Sequence, residues 1–241
     1  MTINEIYKLV QIFANKEQRG FITPSDFNLL AKQAELELYN KRLSIVKQKA
    51  PMGKSQGVYQ ESLTPELARQ DIAGFLVVQV IATLTDGSTS MPSDHIEAIY
   101  SSSNSDSFDI DFNIPVEIVE EKDISAILRS SLAKPSLMYP VALLSMSGNN
   151  TSNDSRKGIT IFPSNVKNLR VYHYIYDRTP RWNYTTVAGK PVYNENGSTG
   201  FTISERVHGE LVIKILEYLG VNIREAEVVQ YAQANELKAD S

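Results

Sequence analysis

From Asn15 to Asp26 the chain places Gly20 at the sixth position, Ile22 at the eighth and an acid at the twelfth, the spacing of a calcium-binding loop between two helices. The charges then go wrong. Asn15 holds the first position, Arg19 stands at the fifth where an oxygen donor is needed, and Asp26 is shorter than the bidentate Glu that closes such a shell. A guanidinium among the ligands opposes a divalent cation, so the segment reads as a helix-turn-helix without metal. Gly53-Lys54-Ser55 has the ending of a phosphate-binding loop, yet Gln48 falls where the first glycine belongs and a helix precedes it instead of a strand. His95, His173 and His208 lie far apart, with no HExxH pair and no Gly-x-Ser-x-Gly elbow. Asp109 and Asp111 alternate along an expected strand and could hold a cation or act as acid and base, but Phe108, Ile110 and Phe112 alternate with them as core residues do, which makes a solvated strand face the simpler reading. No catalytic, metal-binding or cofactor-binding residue is assigned.

A second pattern concerns contact rather than catalysis. Tyr172, Tyr174 and Tyr176 alternate with Val171, His173 and Ile175, and Arg178, Arg181 and Trp182 follow. An aromatic face next to arginines can stack on nucleic acid or anchor a protein interface, where Tyr, Trp and Arg are enriched. The protein interface is preferred, and an ordinary two-sided buried strand competes with it. Leu211 and Ile215 lie on a helical stripe with Val207, Val212, Leu216 and Leu219 that is wider than docking on one sheet requires. Val228 and Tyr231 lie in a sparsely apolar stretch, 221–241, suited to ordering against a partner such as the portal, with folding back on its own subunit as the alternative.

Bulk composition narrows the classes. With no cysteine, disulfides, thiolate metal sites and cysteine nucleophiles are excluded. The chain has 24 Lys and Arg against 28 Asp and Glu, a net charge of −4, so it has no overall basic field to hold nucleic acid non-specifically. Its 241 residues, 42% apolar, suffice for a core, and no apolar run approaches the roughly 20 residues of a membrane span. The opening segment lacks the pattern of a signal peptide.

The elements that must position these residues are legible from their periods. Ile3, Ile6, Tyr7, Val10 and Phe13 predict an amphipathic helix ending near Gly20. Thr23-Pro24 opens a second helix running to about Lys49, followed by a Gly/Ser/Gln-rich loop over 50–62. Strands are expected over Phe75 to Thr85, closed by Asp86-Gly87 as a hairpin turn, then over His95–Ser101, Ser107–Ile114, Val141–Ser145, Gly158–Phe162 and Asn168–Tyr176, with a helix over Val119–Ser131. Ser101–Ser107 and Ser147–Ser155 read as loops, and Gly189–Gly200 as a Gly/Asn segment. Ser204 caps a helix stopped by Leu219-Gly220, and an amphipathic stretch over Arg224–Leu237 follows. The order is an N-terminal helical hairpin over 1–49, a β-rich centre over 50–203 and C-terminal helices over 204–241, together one α+β domain with extensions and a mainly antiparallel sheet.

Three segments carry a family resemblance. They are Asn4-Glu5-Ile6-Tyr7 with Ala14 to Pro24, Tyr139-Pro140-Val141-Ala142 with Ile159 to Pro163, and Glu210 to Leu216 with Leu219-Gly220-Val221. In that order they resemble virion structural proteins of crAss-like phages, the ring proteins of the head-to-tail connector, and among these the ring adjacent to the portal. The resemblance implies a homo-oligomeric ring, a dodecamer, that contacts the portal protein and other ring or tail proteins. Genomic DNA would pass through its channel without sequence-specific binding, and the protein would reside in the virion after assembly in the host bacterial cytoplasm. It transfers no catalytic residue and no cofactor. The alternatives from other classes are a nucleic-acid-binding module built on Tyr172 to Trp182 and an unrecognised hydrolase.

Overall fold

The computed structural model describes residues 1–16, 21–47, 64–84, 86–102, 113–146 and 156–220. In chain order its regular elements are α1 (Ile3–Lys16), α2 (Pro24–Lys47), α3 (Pro65–Asp71), β1 (Leu76–Ala82), β2 (Ser88–Pro92), β3 (His95–Ser101), β4 (Ile114–Pro115), β5 (Glu117–Val119), α4 (Glu121–Arg129), β6 (Val141–Met146), β7 (Arg156–Phe162), β8 (Asn168–Tyr174), β9 (Tyr184–Val187), β10 (Lys190–Tyr193) and α5 (His208–Tyr218). The class is α+β, with helices at the start, strands in the centre and a helix after them. No helix among the described residues is long and apolar enough to cross a membrane. The three segments expected from sequence are gathered into two compact units, one of 1–75 with 176–241 and one of 76–175.

In the first unit, α1 buries Ile3, Ile6, Tyr7 and Val10 of the predicted stripe, together with Ala14, while Phe13 is only partly buried. At the start of α2 the Asp26 amide donates to Thr23 Oγ1 at 3.2 Å, while the Thr23 hydroxyl donates to the Asp26 carboxylate at 2.6 Å. Asp26, the twelfth residue of the calcium-loop pattern, is therefore engaged in a helix cap. Thr64 caps α3 in the same way, accepting from the Leu67 amide ahead of Pro65 at the first helical position. Helix α5 inserts Leu211, Val212, Ile215 and Leu216 against α1 and α2, and ends at Gly220, whose φ of +71° is a left-handed stop. Ser204 precedes a short 3-10 turn before α5 and makes no side-chain cap. The expected Gly/Asn segment contains strand β10, which pairs with β9 through Ala188 and Gly189, both at positive φ as a tight hairpin demands.

The second unit is a sandwich of two four-stranded sheets, ordered β1-β8-β3-β4 and β2-β7-β6-β5. Ile96, Ile99, Leu169 and Val171 of the first sheet meet Met91, Ala142, Ile159 and Ile161 of the second in one core. All pairings are antiparallel except β5 with β6. Three expectations need correction. Asp86-Gly87 does not close a hairpin, because β1 pairs with β8 and β2 pairs with β7 in the other sheet. The turn instead carries the chain between sheets, with Asp86 Oδ1 accepting from the Ser88 amide at 2.9 Å and Gly87 at a φ of +79°. The strand expected to reach Tyr176 stops at Tyr174, so Tyr176 does not share a strand face with Tyr172 and Tyr174. The expected helix over 119–131 is confined to α4, because Val119 is taken by β5.

Candidate functional site

On β8, side chains alternate between the sandwich core and the opposite face. Leu169 and Val171 point inward, whereas Arg170, Tyr172 and Tyr174 lie on the opposite face, paired across to Val80, Val78 and Leu76 of β1; Tyr174 is nevertheless buried, at 3% exposure. On the other side of β8, Tyr100 meets Tyr172 edge-on at 5.7 Å and His95 stacks on Tyr174 at 6.4 Å. The apolar residues of β1 on this face are left open to solvent, with Leu76, Val78 and Val80 at 36%, 52% and 53% exposure. Among the described residues strand β1 is also the sheet's edge, and its seven residues carry no charge. Uncharged, apolar edge strands invite pairing with another chain, which monomers ordinarily prevent with lysine, proline or a bulge.

The other sequence candidates separate. Tyr176 belongs to the first unit, where its ring lies 5.6 Å from Tyr39 and 5.5 Å from Phe75 and its hydroxyl donates to Glu35 Oε2 at 3.2 Å. Burial, then the nearby Glu35 carboxylate, pushes its phenol well above the ordinary range. Trp182 is core, at 3% exposure, correcting its place in an exposed stacking face. Its amide donates to Asn28 Oδ1 at 2.7 Å, its carbonyl accepts from Asn28 Nδ2 at 3.1 Å, and its Nε1 donates to Asn4 Oδ1 at 3.2 Å. Arg178 and Arg181 are exposed, and the Arg181 backbone bridges to Thr199. Leu211 and Ile215, expected at an interface, are fully buried, where α5 packs on α1 and α2 of its own chain; of the same stripe Leu219 is partly exposed. Val228 and Tyr231 lie outside the described residues, as do Asp109, Asp111, Gly53, Lys54 and Ser55.

Two features had no local signal in the sequence. Glu35 is completely buried on α2 and accepts the amides of Thr202 at 2.6 Å and Ile203 at 3.1 Å. Burial pushes its carboxyl up, partly opposed by those bonds. About two turns further along α2, Arg42 lies between Asp71 at 3.4 Å and Glu210, and Asp71 also receives Arg206 at 2.7 Å. Burial pushes Glu210 up, but Arg42 and Lys41 outweigh it and hold the carboxyl below the ordinary range. These acids and bases saturate one another, which suits a structural clamp. Among the described residues no group of three or more His, Asp or Glu is arranged to hold a metal ion.

A cleft of about 740 Å³ opens between α1 and the β9–β10 hairpin. Its floor is aromatic, with Tyr7 and Trp182 at 4.3 Å and Trp182 and Tyr193 at 5.7 Å. Phe21 and Val192 form exposed apolar walls, and among the described residues the charged side chains lining it are Lys8 and Lys190. The segments contributing it are some 180 residues apart in the chain, so no spacing could reveal it.

Compared with models of known protein families and with curated proteins, the chain matches none.

Proposed function

We propose that the protein is a structural subunit of a phage virion, an adaptor in the head-to-tail connector that forms a ring, a dodecamer, below the portal and around the DNA exit channel. The observation that supports this best is the charge-free edge strand β1 with Leu76, Val78 and Val80 uncovered. A copy of the same chain seated on that edge satisfies its unpaired backbone groups and covers its side chains, and head-to-tail repetition of such a contact closes a ring. The sequence resemblance supplies the portal and the DNA channel as neighbours. We assign the subunit no catalytic step.

Light scattering on the purified protein and on a Val78→Lys/Val80→Lys variant tests the reading. The wild type should assemble, alone or on portal-bearing particles imaged by cryo-electron microscopy, and the variant should stay monomeric with an unchanged thermal melt. A wild-type chain that remains monomeric and is absent from such particles would sink it.

A further inference from the structure

We propose that the contact between copies is heterologous and that its second half is the loop joining α4 to β6, whose Leu132, Met138 and Tyr139 seat in a hollow at the end of β1 on the next copy. The inference rests on the ring reading and names what meets the open strand. The loop is apolar, yet among the described residues it is uncovered, with Leu132, Met138 and Tyr139 at 98%, 65% and 80% exposure. Hydrogen-bonded turns hold these side chains out. The Leu132 and Ala133 amides donate to Ser130 Oγ at 3.3 and 3.0 Å, and the Ser136 and Tyr139 backbones bond each other at 3.2 and 3.1 Å. The Pro140 carbonyl accepts the Glu117 amide at 3.1 Å, which ties the loop to the start of β5. Apolar groups clustered on fixed turns mark a contact site, and little order remains to be imposed when they dock.

The sandwich sets this loop and β1 on opposite edges. Its end strands β1 and β2 are joined by residues 83–87 on one side, and β4 and β5 by Val116 on the other. Beyond β1 a hollow of about 510 Å³ continues the open strand, lined by Ala82 and Leu84 and, across from them, by Ser164, Asn165 and Lys167. The Thr83 amide donates to the Lys167 carbonyl at 2.8 Å and ties the two sides together. End strands of a four-stranded sheet lie roughly 14 Å apart, so the loop and the hollow meet between copies rather than within one. A protrusion on one edge that fits a hollow on the other is the head-to-tail relation from which rings are built. Pairing β1 with its own counterpart would leave the loop bare in every copy.

The chain has no cysteine, and Ala133 and Asn165 are exposed, so Ala133→Cys/Asn165→Cys reports the contact. Oxidised under the conditions in which the wild type assembles, the double variant should run as a ladder of covalent multimers on a non-reducing gel, and each single variant as a monomer. Adding Leu132→Glu/Met138→Glu should abolish the ladder and reduce the light-scattering mass to that of one chain, with an unchanged thermal melt because both side chains already face solvent. If the wild type assembles but the cysteines give no ladder, or the glutamates leave assembly intact, this contact is wrong and the ring reading stands. Covalent dimers from Ala133→Cys alone would also overturn it, by showing a loop-to-loop contact. A wild type that never assembles sinks the ring reading, and this contact with it.

Discussion

Glu35 Oε1 accepts the backbone amide of Thr202 at 2.6 Å from a site with no solvent exposure, and the Ile203 amide and the Tyr176 hydroxyl complete its shell. One carboxylate thereby fastens the 202–203 segment to the middle of α2. Burial raises its pKa above the ordinary glutamate value, so the folded state holds its proton more tightly than the unfolded chain. The stability from this group is full below the ordinary value and is lost as pH rises through the raised one. Glu35→Gln keeps the shape and removes the titration. Urea melts of wild type and variant should therefore diverge from pH 4 to pH 7, with the wild type losing ground. A constant difference would mean that Glu35 keeps its ordinary pKa.

Arg42 should behave differently from its neighbour Arg206, although both bind Asp71. The Arg42 side chain is almost wholly buried between Asp71 and Glu210, whereas half of Arg206 faces solvent. Removing one member of a buried pair strands the other charge, at a cost of about 3–5 kcal/mol, while exposed pairs contribute about 0–1 kcal/mol. Arg42→Ala should then lower the urea midpoint severely and Arg206→Ala only slightly. Similar losses for the two would show that Arg206 bears the charge of Asp71.

Gly87 is the corner at which the chain passes from one sheet to the other. Its φ of +79° disfavours any side chain, and an added Cβ would lie 2.7 Å from the Ile161 carbonyl oxygen. Strain and clash act together, so Gly87→Ala should cost roughly 2–4 kcal/mol, read from chemical melts. A loss within the error of the melt would mean that the corner rearranges freely.

Local patterns foretold local outcomes. The 3.6-residue stripes of Ile3–Val10 and Phe27–Leu38 gave helices α1 and α2 their buried faces, and the alternation in Asn168–Tyr174 sorted core from outer residues on β8. Strand partners were not legible. Asp86-Gly87 is a favourable turn pair in either topology, and only the long-range pairing of β1 with β8 decides against a hairpin. For the same reason the Tyr172–Tyr174–Tyr176 periodicity overran the end of β8, since nothing in the local sequence marks where Tyr176 turns to Glu35. The open face of β1 did have a signal, seven residues without a charge, but an uncharged strand reads equally as buried until its place at the edge is known.

Trp182 provides the sharpest test of how the Tyr172–Trp182 segment works. If it offered a surface for stacking bases, Trp182 would be its best platform and its loss would weaken binding while sparing the fold. Here the indole is enclosed by Tyr7, Tyr184 and Tyr193, and its backbone and ring nitrogen are held by Asn28 and Asn4. Truncating a buried aromatic costs about 3–5 kcal/mol, so Trp182→Ala should remove much of the cooperative melt. Asn28→Ala, which frees a buried amide and a buried carbonyl, should cost about 1–3 kcal/mol. The exposed Arg178 and Arg181 lack comparable packing, and their alanine variants should stay within about 0.5 kcal/mol of wild type. Trp182→Phe retains most of the apolar contact and should fold, which separates stability from binding. If that variant melts normally yet loses retention of single-stranded DNA shown by the wild type, the indole is a base platform and the core assignment fails.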